Sequence, residues 1–156
     1  MNTLQMELAL VRHFNPRKYI IVPNVSWGLD LHECDLLLLT GSGYAYEIEI
    51  KISKGDLVKD KLKKHEHRSN RISRLYFALP TSLMEFKDVV PLHAGILEVE
   101  EKAYYGRYRI VEHRAPEIKN EYKFTLEERA KLGRLGTMRI WNLKRKIHKL
   151  QKKLKS

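Results

Sequence analysis

The spacing of apolar residues predicts that the chain begins with a helix. Apolar positions recur every three or four residues over 3–14, as on one side of an amphipathic helix. The inward stripe is expected to contain Leu4, Leu8 and Val11. The acidic Glu7 falls in the same stripe, where an apolar residue would be expected, so Glu7 becomes a candidate for chemistry.

The pattern then changes to β-branched and alternating residues, which favour strands. The clearest feature is the loop Gly41-Ser42-Gly43 between two β-rich segments, because a three-residue loop with two glycines is typical of a hairpin. Ser53 can cap the helix that follows. The predicted elements are strands at 19–25, 33–40 and 44–53, a helix at 54–67, a strand at 71–79, a short helical turn near 82–87, and a second hairpin at 94–99 and 104–111.

The order of these elements predicts an α/β protein with a mixed sheet of the α+β kind. A length of 156 residues corresponds to one domain with an appendage. Thr125 and Glu128 form a capping box, which predicts that a long helix begins there. We therefore expect a body over 1–113, a linker over 114–124 and a C-terminal helix over 125–156.

The net charge of +11 is concentrated at the end of the chain. Residues 129–156 contain 11 Lys and Arg and no acidic residue, whereas residues 1–128 contain 19 of each sign. A neutral body with a cationic helix indicates a polyanionic partner, of which nucleic acid is the commonest; a helix that only aids solubility is the alternative. The outward basic residues expected to contact phosphates are Lys144, Arg145, Lys149, Lys152 and Lys153.

The same helix carries an apolar stripe whose members are alternately three and four residues apart. The stripe consists of Ile140, Leu143, Ile147, Leu150 and Leu154. Such a stripe either lies on the chain's own domain or pairs two copies of the chain in a short coiled coil. A homodimer formed through this helix is therefore one of two alternatives.

Simple features exclude several classes of protein. No apolar run approaches the roughly 18 residues that a membrane span needs, so no membrane partner is expected. The N-terminus lacks the basic and then apolar pattern of a secretory signal. Cys34 is the single cysteine, so no internal disulfide can form, and we expect a reducing, cytoplasmic location.

The first predicted hairpin brings charged side chains to one face of the sheet. If 41–43 is the loop, paired residues have numbers that add to 84, which places Asp35 opposite Glu49. Because side chains alternate along a strand, these two carboxylates share a face with Glu47 and Lys51. The other face is expected to form a core layer of Leu36, Leu38, Ile48, Ile50 and Ile52.

Two opposed carboxylates repel each other unless a cation lies between them. Lys51 supplies part of that compensation, and a divalent metal would supply the rest. Mg²⁺ or Mn²⁺ held by hard oxygen ligands keeps waters and admits phosphate oxygens, as phosphodiester hydrolysis requires. Zinc is not expected, because neither Cys34 nor the histidines have the spacing of zinc ligands. The alternative is a solvent-facing hairpin with cross-strand salt bridges.

At this point the sequence resembles a known family. Asp35, followed by Glu49-Ile50-Lys51 on the next strand, resembles the PD-(D/E)XK signature of the restriction-endonuclease-like phosphodiesterases. Helix, three strands, helix and strand is similar to the αβββαβ core of that superfamily. Within it, residues 46–57 and 74–80 look like the MmcB-type proteins, which are assigned to DNA repair. Cys34 stands where the signature has a proline.

The resemblance implies a function and a set of site residues. It implies that Asp35, Glu49 and the carbonyl of Ile50 are metal ligands, and that Lys51 is the catalytic lysine. Glu7 matches the first-helix acid that many members add to the metal shell. The implied activity is that of an Mg²⁺- or Mn²⁺-dependent nuclease acting on DNA in repair or processing, with RNA left open as a substrate. The alternative is a catalytically inactive, nucleic-acid-binding repair accessory protein of the same fold.

Residues around the signature have two interpretations each. Lys54, Lys61 and Lys64 on the second helix are candidates for contact with the nucleic acid. The alternative for this helix is a solvated surface on which Lys59 and Lys63 or Lys64 balance its acids. Glu47 is either a metal ligand or the partner of a helix lysine. His32 is interpreted as an ordinary surface residue.

Overall fold

A six-stranded sheet and three α-helices make up the part of the chain that the structure describes. The structure is a computed structural model, and it describes residues 1–25, 29–60, 69–102 and 107–154. The predicted α/β class, with a mixed sheet and a C-terminal helix, is confirmed. In chain order the elements are α1 (Thr3–Phe14), β1 (Tyr19–Val25), β2 (Cys34–Thr40), β3 (Ala45–Ile50), α2 (Lys54–Asp60), β4 (Ile72–Pro80), a 3₁₀ helix (Thr81–Val89), β5 (Gly95–Lys102), β6 (Arg107–Arg114) and α3 (Leu126–Lys153).

The strands lie in the sheet in the order in which they occur in the chain. The pairs β1–β2, β2–β3 and β5–β6 are antiparallel, whereas β3–β4 and β4–β5 are parallel. The parallel pairs need crossover connections, which contain α2 and the 3₁₀ helix. The predicted register of the first hairpin is confirmed, since Leu36 pairs with Ile48 and Leu37 pairs with Glu47.

Apolar side chains cover both faces of the sheet. One face, which we call the α1 face, packs against Met6 and Leu10 through residues that include Leu36 and Leu38. The opposite face, the α3 face, packs against the first half of α3 through residues that include Leu37. Further along the sheet, α2 and the 3₁₀ helix cover the same α3 face. Alternation along β2 and β3 therefore supplies two core layers from one hairpin.

The side of helix α1 that packs against the sheet differs from the predicted side. Leu4 and Leu8 are 62% and 61% exposed, whereas Met6, Ala9 and Leu10 are buried. The prediction of the inward stripe was wrong because α1 has apolar residues on both sides. Periodicity by itself does not decide which of two apolar sides meets the sheet.

Helix α3 begins at the capping box that the sequence predicts. The Glu128 amide donates to the Thr125 hydroxyl, and the Thr125 amide donates to the Glu128 carboxylate. The same carboxylate accepts hydrogen bonds from Arg71, which directly precedes β4, and from the hydroxyl of Tyr122. Leu132, one turn further along the helix, is buried against the α3 face of the sheet. The first turns of α3 are thus anchored to the body.

The segment expected to be a linker, 114–124, is hydrogen-bonded to the body. The Lys119 amide donates to the carbonyl of Ser73 at 2.9 Å, and the Phe124 amide donates to the carbonyl of Gly43 in the β2–β3 turn at 2.9 Å. These bonds connect the segment to β4 and to the first hairpin before α3 begins.

The second half of α3 is exposed. Every residue from Ile140 to Leu154 is exposed, and the members of the apolar stripe are between 53% and 87% exposed. The alternative in which this stripe lies on the chain's own domain is therefore wrong. Among the described helices, α3 included, there is none with the length and apolar character needed to cross a bilayer.

Candidate functional site

Three charged side chains occupy successive alternate positions at the end of β3 on the α3 face. Glu47, Glu49 and Lys51 are 0%, 2% and 3% exposed. Lys51 Nζ also lies 5.9 Å from the centre of the Phe77 ring in the apolar layer of this face. Because burying a charge without partners costs several kcal/mol, such a row needs compensating groups around it. The interpretation of a solvent-facing charged hairpin is wrong.

The carboxylates and the lysine predicted to form the site do come together. Lys51 Nζ donates to Glu49 Oε2 at 2.9 Å, and the backbone amide of Ile50 donates to Asp35 Oδ2 at 2.7 Å. Asp35 thus spans from β2 to the strand that carries the other two groups. The antiparallel register explains this proximity, since Leu36 pairs with Ile48 and the next residues on the two strands are Asp35 and Glu49.

These groups line an open pocket of about 390 Å³, which we call the acid–lysine pocket. Thr3 from α1 and Asp56 from α2 lie on its walls, so both helices that flank the hairpin contribute to it. The lining residues are Thr3, Glu33, Asp35, Glu49, Ile50, Lys51 and Asp56. A pocket with carboxylates, a backbone carbonyl and an ammonium can hold a hydrated cation together with an anionic oxygen.

His32 belongs to the site, contrary to the prediction that it is a surface residue. Its Nε2 lies 2.7 Å from Glu47 Oε1, and its side chain is only 11% exposed. This contact gives Glu47 an imidazole partner, which the sequence did not suggest beside a metal or a helix lysine. His32 precedes β2, outside any periodic segment, so the pattern of residues contained no signal for this contact.

The electrostatics of the site show how closely the carboxylates converge. Burial raises the pKa of the Cys34 thiol far above its usual value, and Glu47, Glu49 and Asp35 raise it further. All three carboxylates therefore lie close enough to Cys34 to act on the same thiol.

Glu7 lies on α1, on the edge of its buried side. Its carboxyl is partly buried, and this burial raises its pKa above the usual value. Thr3, one turn earlier on the same helix, is the α1 residue that lines the acid–lysine pocket. The structure therefore places Glu7 one helical turn beyond the pocket wall.

The donor set can be compared with what a metal ion requires. In the described part of the chain there is no group of three or more His, Cys, Asp or Glu side chains arranged to hold a metal. Mg²⁺ commonly binds through only one or two carboxylates, completing its shell with waters and substrate phosphates, whereas a structural zinc site needs four ligands. Asp35, Glu49 and the Ile50 carbonyl therefore fit Mg²⁺ or Mn²⁺ and do not fit zinc.

The basic residues predicted to bind nucleic acid lie in different places. Lys54 Nζ lies 4.2 Å from the centre of the Phe86 ring, on the side of the 3₁₀ helix, and Lys61 and Lys64 fall outside the described residues. Lys144 Nζ lies over the ring of Trp141 at 5.1 Å. The remaining predicted residues are exposed on the second half of α3: Arg145, Lys149, Lys152 and Lys153.

Comparisons with known proteins supply a likeness of fold. No family model matches the sequence, and no curated protein matches it. The solved structure of a protein of unknown function from Silicibacter pomeroyi is similar, with a TM-score of 0.62 and 17% sequence identity. The similarity covers 97% of this chain and 92% of that one. At this level of identity the likeness shows the shared fold alone.

Proposed function

We propose that this chain is a metal-dependent phosphodiesterase of the PD-(D/E)XK type that cleaves DNA in repair or processing. The observation that carries the proposal is the convergence of Asp35, Glu49 and Lys51 on one open pocket. The order of elements from α1 to β4 supports a restriction-endonuclease-like αβββαβ core. The exposed basic half of α3 supports a polyanionic substrate.

In this proposal the residues of the site have separate roles in catalysis. Asp35, Glu49 and the carbonyl of Ile50 would hold Mg²⁺ or Mn²⁺, which when bound neutralises charge on the scissile phosphate and lowers the pKa of a bound water. Glu49 fixes the position of the Lys51 ammonium through their hydrogen bond. Lys51, which lines the pocket, orients the attacking water through its ammonium and stabilises the charge that develops on the phosphate.

The surroundings suit these roles. Burial of Glu49 and Lys51 strengthens their electrostatic interactions, because the effective dielectric constant there is lower than in water. The pair formed by His32 and Glu47 lies beside them on the same face and limits the movement of the β3 side chains. We propose that His32 positions Glu47 and does not contact the phosphate.

A second function is favoured by a different observation. Glu49 is already paired with Lys51, and the described residues contain no three-ligand metal group. A nucleic-acid-binding repair accessory protein without turnover would have this arrangement if the pair served only to hold the fold. The proposals differ in one measurable property, which is cleavage that depends on a divalent cation.

The test is a cleavage screen with Mg²⁺ and Mn²⁺ on single-stranded, duplex and branched DNA and on RNA. We expect cleavage by the wild-type chain, and a loss of more than a hundredfold in Lys51→Ala and in Glu49→Gln, since each removes a group at the reacting phosphate. Lys18→Ala, an exposed lysine remote from the pocket, is the matched control and should cleave normally. Circular dichroism should confirm that each variant is folded.

Cleavage that persists in folded Lys51→Ala or Glu49→Gln would contradict the catalytic assignment. If the wild-type chain binds DNA but cleaves none of the substrates with either metal, the accessory function replaces the enzymatic one.

A further inference from the structure

A second pocket adjoins the acid–lysine pocket. It is about 660 Å³ in volume and lies between the second half of α3 and the end of β1. Glu33 lines both pockets, so the two meet at this residue. We call the second pocket the basic groove, because four of its lining side chains are cationic. Its α3 wall consists of Arg139, Asn142, Leu143, Arg145, Lys146 and Lys149.

The cations that line the basic groove lie toward one side of α3. At 100° per residue, Arg139, Lys146 and Lys149 form a single stripe along the helix, about 15 Å long at 1.5 Å per residue. Lys144, on the opposite side of the helix from this stripe, and Lys152, beyond its end, do not line the groove. The structure therefore narrows the set of α3 lysines expected to contact phosphates, because only part of the positive charge of α3 lines the groove.

Arg139 gives the groove a fixed donor at the end nearest the body. Its Nη2 donates to the carbonyl of Asn24 at 2.6 Å, which holds the guanidinium against β1. Its Nε is buried and has no hydrogen-bond partner among the residues that the structure describes. Among the described residues that line the groove, four cations face one carboxylate, that of Glu33. The charge of the groove and its donors therefore both suit an anionic ligand rich in oxygen acceptors.

We propose that a single strand of nucleic acid lies in the basic groove, with its phosphates along α3, and passes Glu33 into the acid–lysine pocket. This inference rests on the proposed nuclease function and names the form of its substrate. A stripe of about 15 Å is long enough to contact more than one phosphate of the strand. A duplex has two backbones separated by a groove of roughly 6–12 Å, and one that entered the groove would place its second backbone against the opposite wall. The described residues of that wall, Pro23, Asn24 and Glu33, supply no cation for it.

The test compares two double variants of the full-length chain that remove the same charge from the same helix. Lys146→Ala/Lys149→Ala changes the groove, and Lys144→Ala/Lys152→Ala removes two lysines of α3 that do not line it. Binding of a 12-nucleotide single strand and of the matching duplex is measured by fluorescence anisotropy in EDTA between 50 and 200 mM salt, so that no cleavage takes place.

We expect a roughly tenfold loss of single-strand affinity in the groove variant and less than a twofold loss in the control variant. The slope of log affinity against log salt should fall by about 1.4 in the groove variant, since each lost phosphate contact removes about 0.7. Glu33→Gln, which removes the one carboxylate lining the groove, should bind the single strand more tightly.

Several results would overturn the inference. Equal losses in the two double variants would mean that α3 attracts nucleic acid without a preferred side. A larger loss for the duplex than for the single strand would mean that the groove accepts a duplex.

The inference can fail separately from the proposed function. Lys51-dependent cleavage together with equal binding by the two double variants would refute the groove and leave the nuclease. Selective loss of binding in the groove variant without any metal-dependent cleavage by the wild-type chain would support the groove and refute the nuclease.

Discussion

The buried pair formed by Glu49 and Lys51 makes a quantitative prediction about stability. Lys51→Met removes the ammonium, keeps a side chain of similar length, and leaves the Glu49 carboxylate buried without that partner. At 2.9 Å and an effective dielectric constant of 20, the attraction between the two charges is about 6 kcal/mol before desolvation is counted. Removing one partner of a buried pair costs about 3–5 kcal/mol, and we expect this loss in the free energy of unfolding.

A double variant distinguishes the interaction between the two charges from the effect of removing each charge alone. Replacing both charges, as Glu49→Leu/Lys51→Met, removes the attraction but also removes both desolvation penalties. Such replacements range from neutral to stabilising by about 1–4 kcal/mol. The double variant should therefore be more stable than Lys51→Met, with a coupling energy of about 3 kcal/mol or more between the two positions.

The assay is urea unfolding at pH 7, followed by circular dichroism. With an m-value of about 2 kcal/mol/M, the expected loss lowers the midpoint of Lys51→Met by about 1.5–2.5 M urea. Lys18→Met, at an exposed position, should change the free energy of unfolding by less than about 0.5 kcal/mol. The reasoning is refuted if the free energy of unfolding of Lys51→Met lies within 1 kcal/mol of that of the wild-type chain. It is also refuted if the losses measured for Glu49→Leu and Lys51→Met separately add up in the double variant.

Two further predictions concern the core. Leu10→Ala should lower the free energy of unfolding by about 2–5 kcal/mol and Leu8→Ala by less than about 1 kcal/mol, because of these two residues only Leu10 is buried. The measurement is urea unfolding, and similar losses in the two variants would mean that the other side of α1 packs against the sheet. Burial and nearby carboxylates raise the pKa of Cys34, so the folded chain keeps a thiol proton that the unfolded chain loses above about pH 8.5. The free energy of unfolding should therefore fall by about 1 kcal/mol between pH 8 and pH 9.5. This part of the pH dependence should disappear in Cys34→Ala, and an identical pH dependence in that variant would show that the thiol is not responsible.

The local features of the candidate site were predictable because they depend on neighbours in sequence. The loop at 41–43 sets the register of the first hairpin, and the period of two along a strand then places Glu49 and Lys51 on one face. The capping box at Thr125 likewise sets the start of α3. Hydrogen bonds and steric limits within a few residues decide both features, so the residues themselves contain the information.

Features that depend on distant segments were not predictable in this way. The contact of His32 with Glu47 depends on where an irregular segment lies over β3, and no periodicity reports that position. The burial of Glu49 and Lys51 depends on helices that come from other parts of the chain to cover the α3 face.

What the amino-acid sequence determines without further help is the succession of helices and strands, the hairpin register, and the location of the positive charge. Tertiary structure decides which side of α1 meets the sheet, that the charged row at the end of β3 is buried, and which cations of α3 line the basic groove. The physical reason is that periodicity and capping act over a few residues, whereas burial and electrostatic environment are properties of surfaces that only packing brings together.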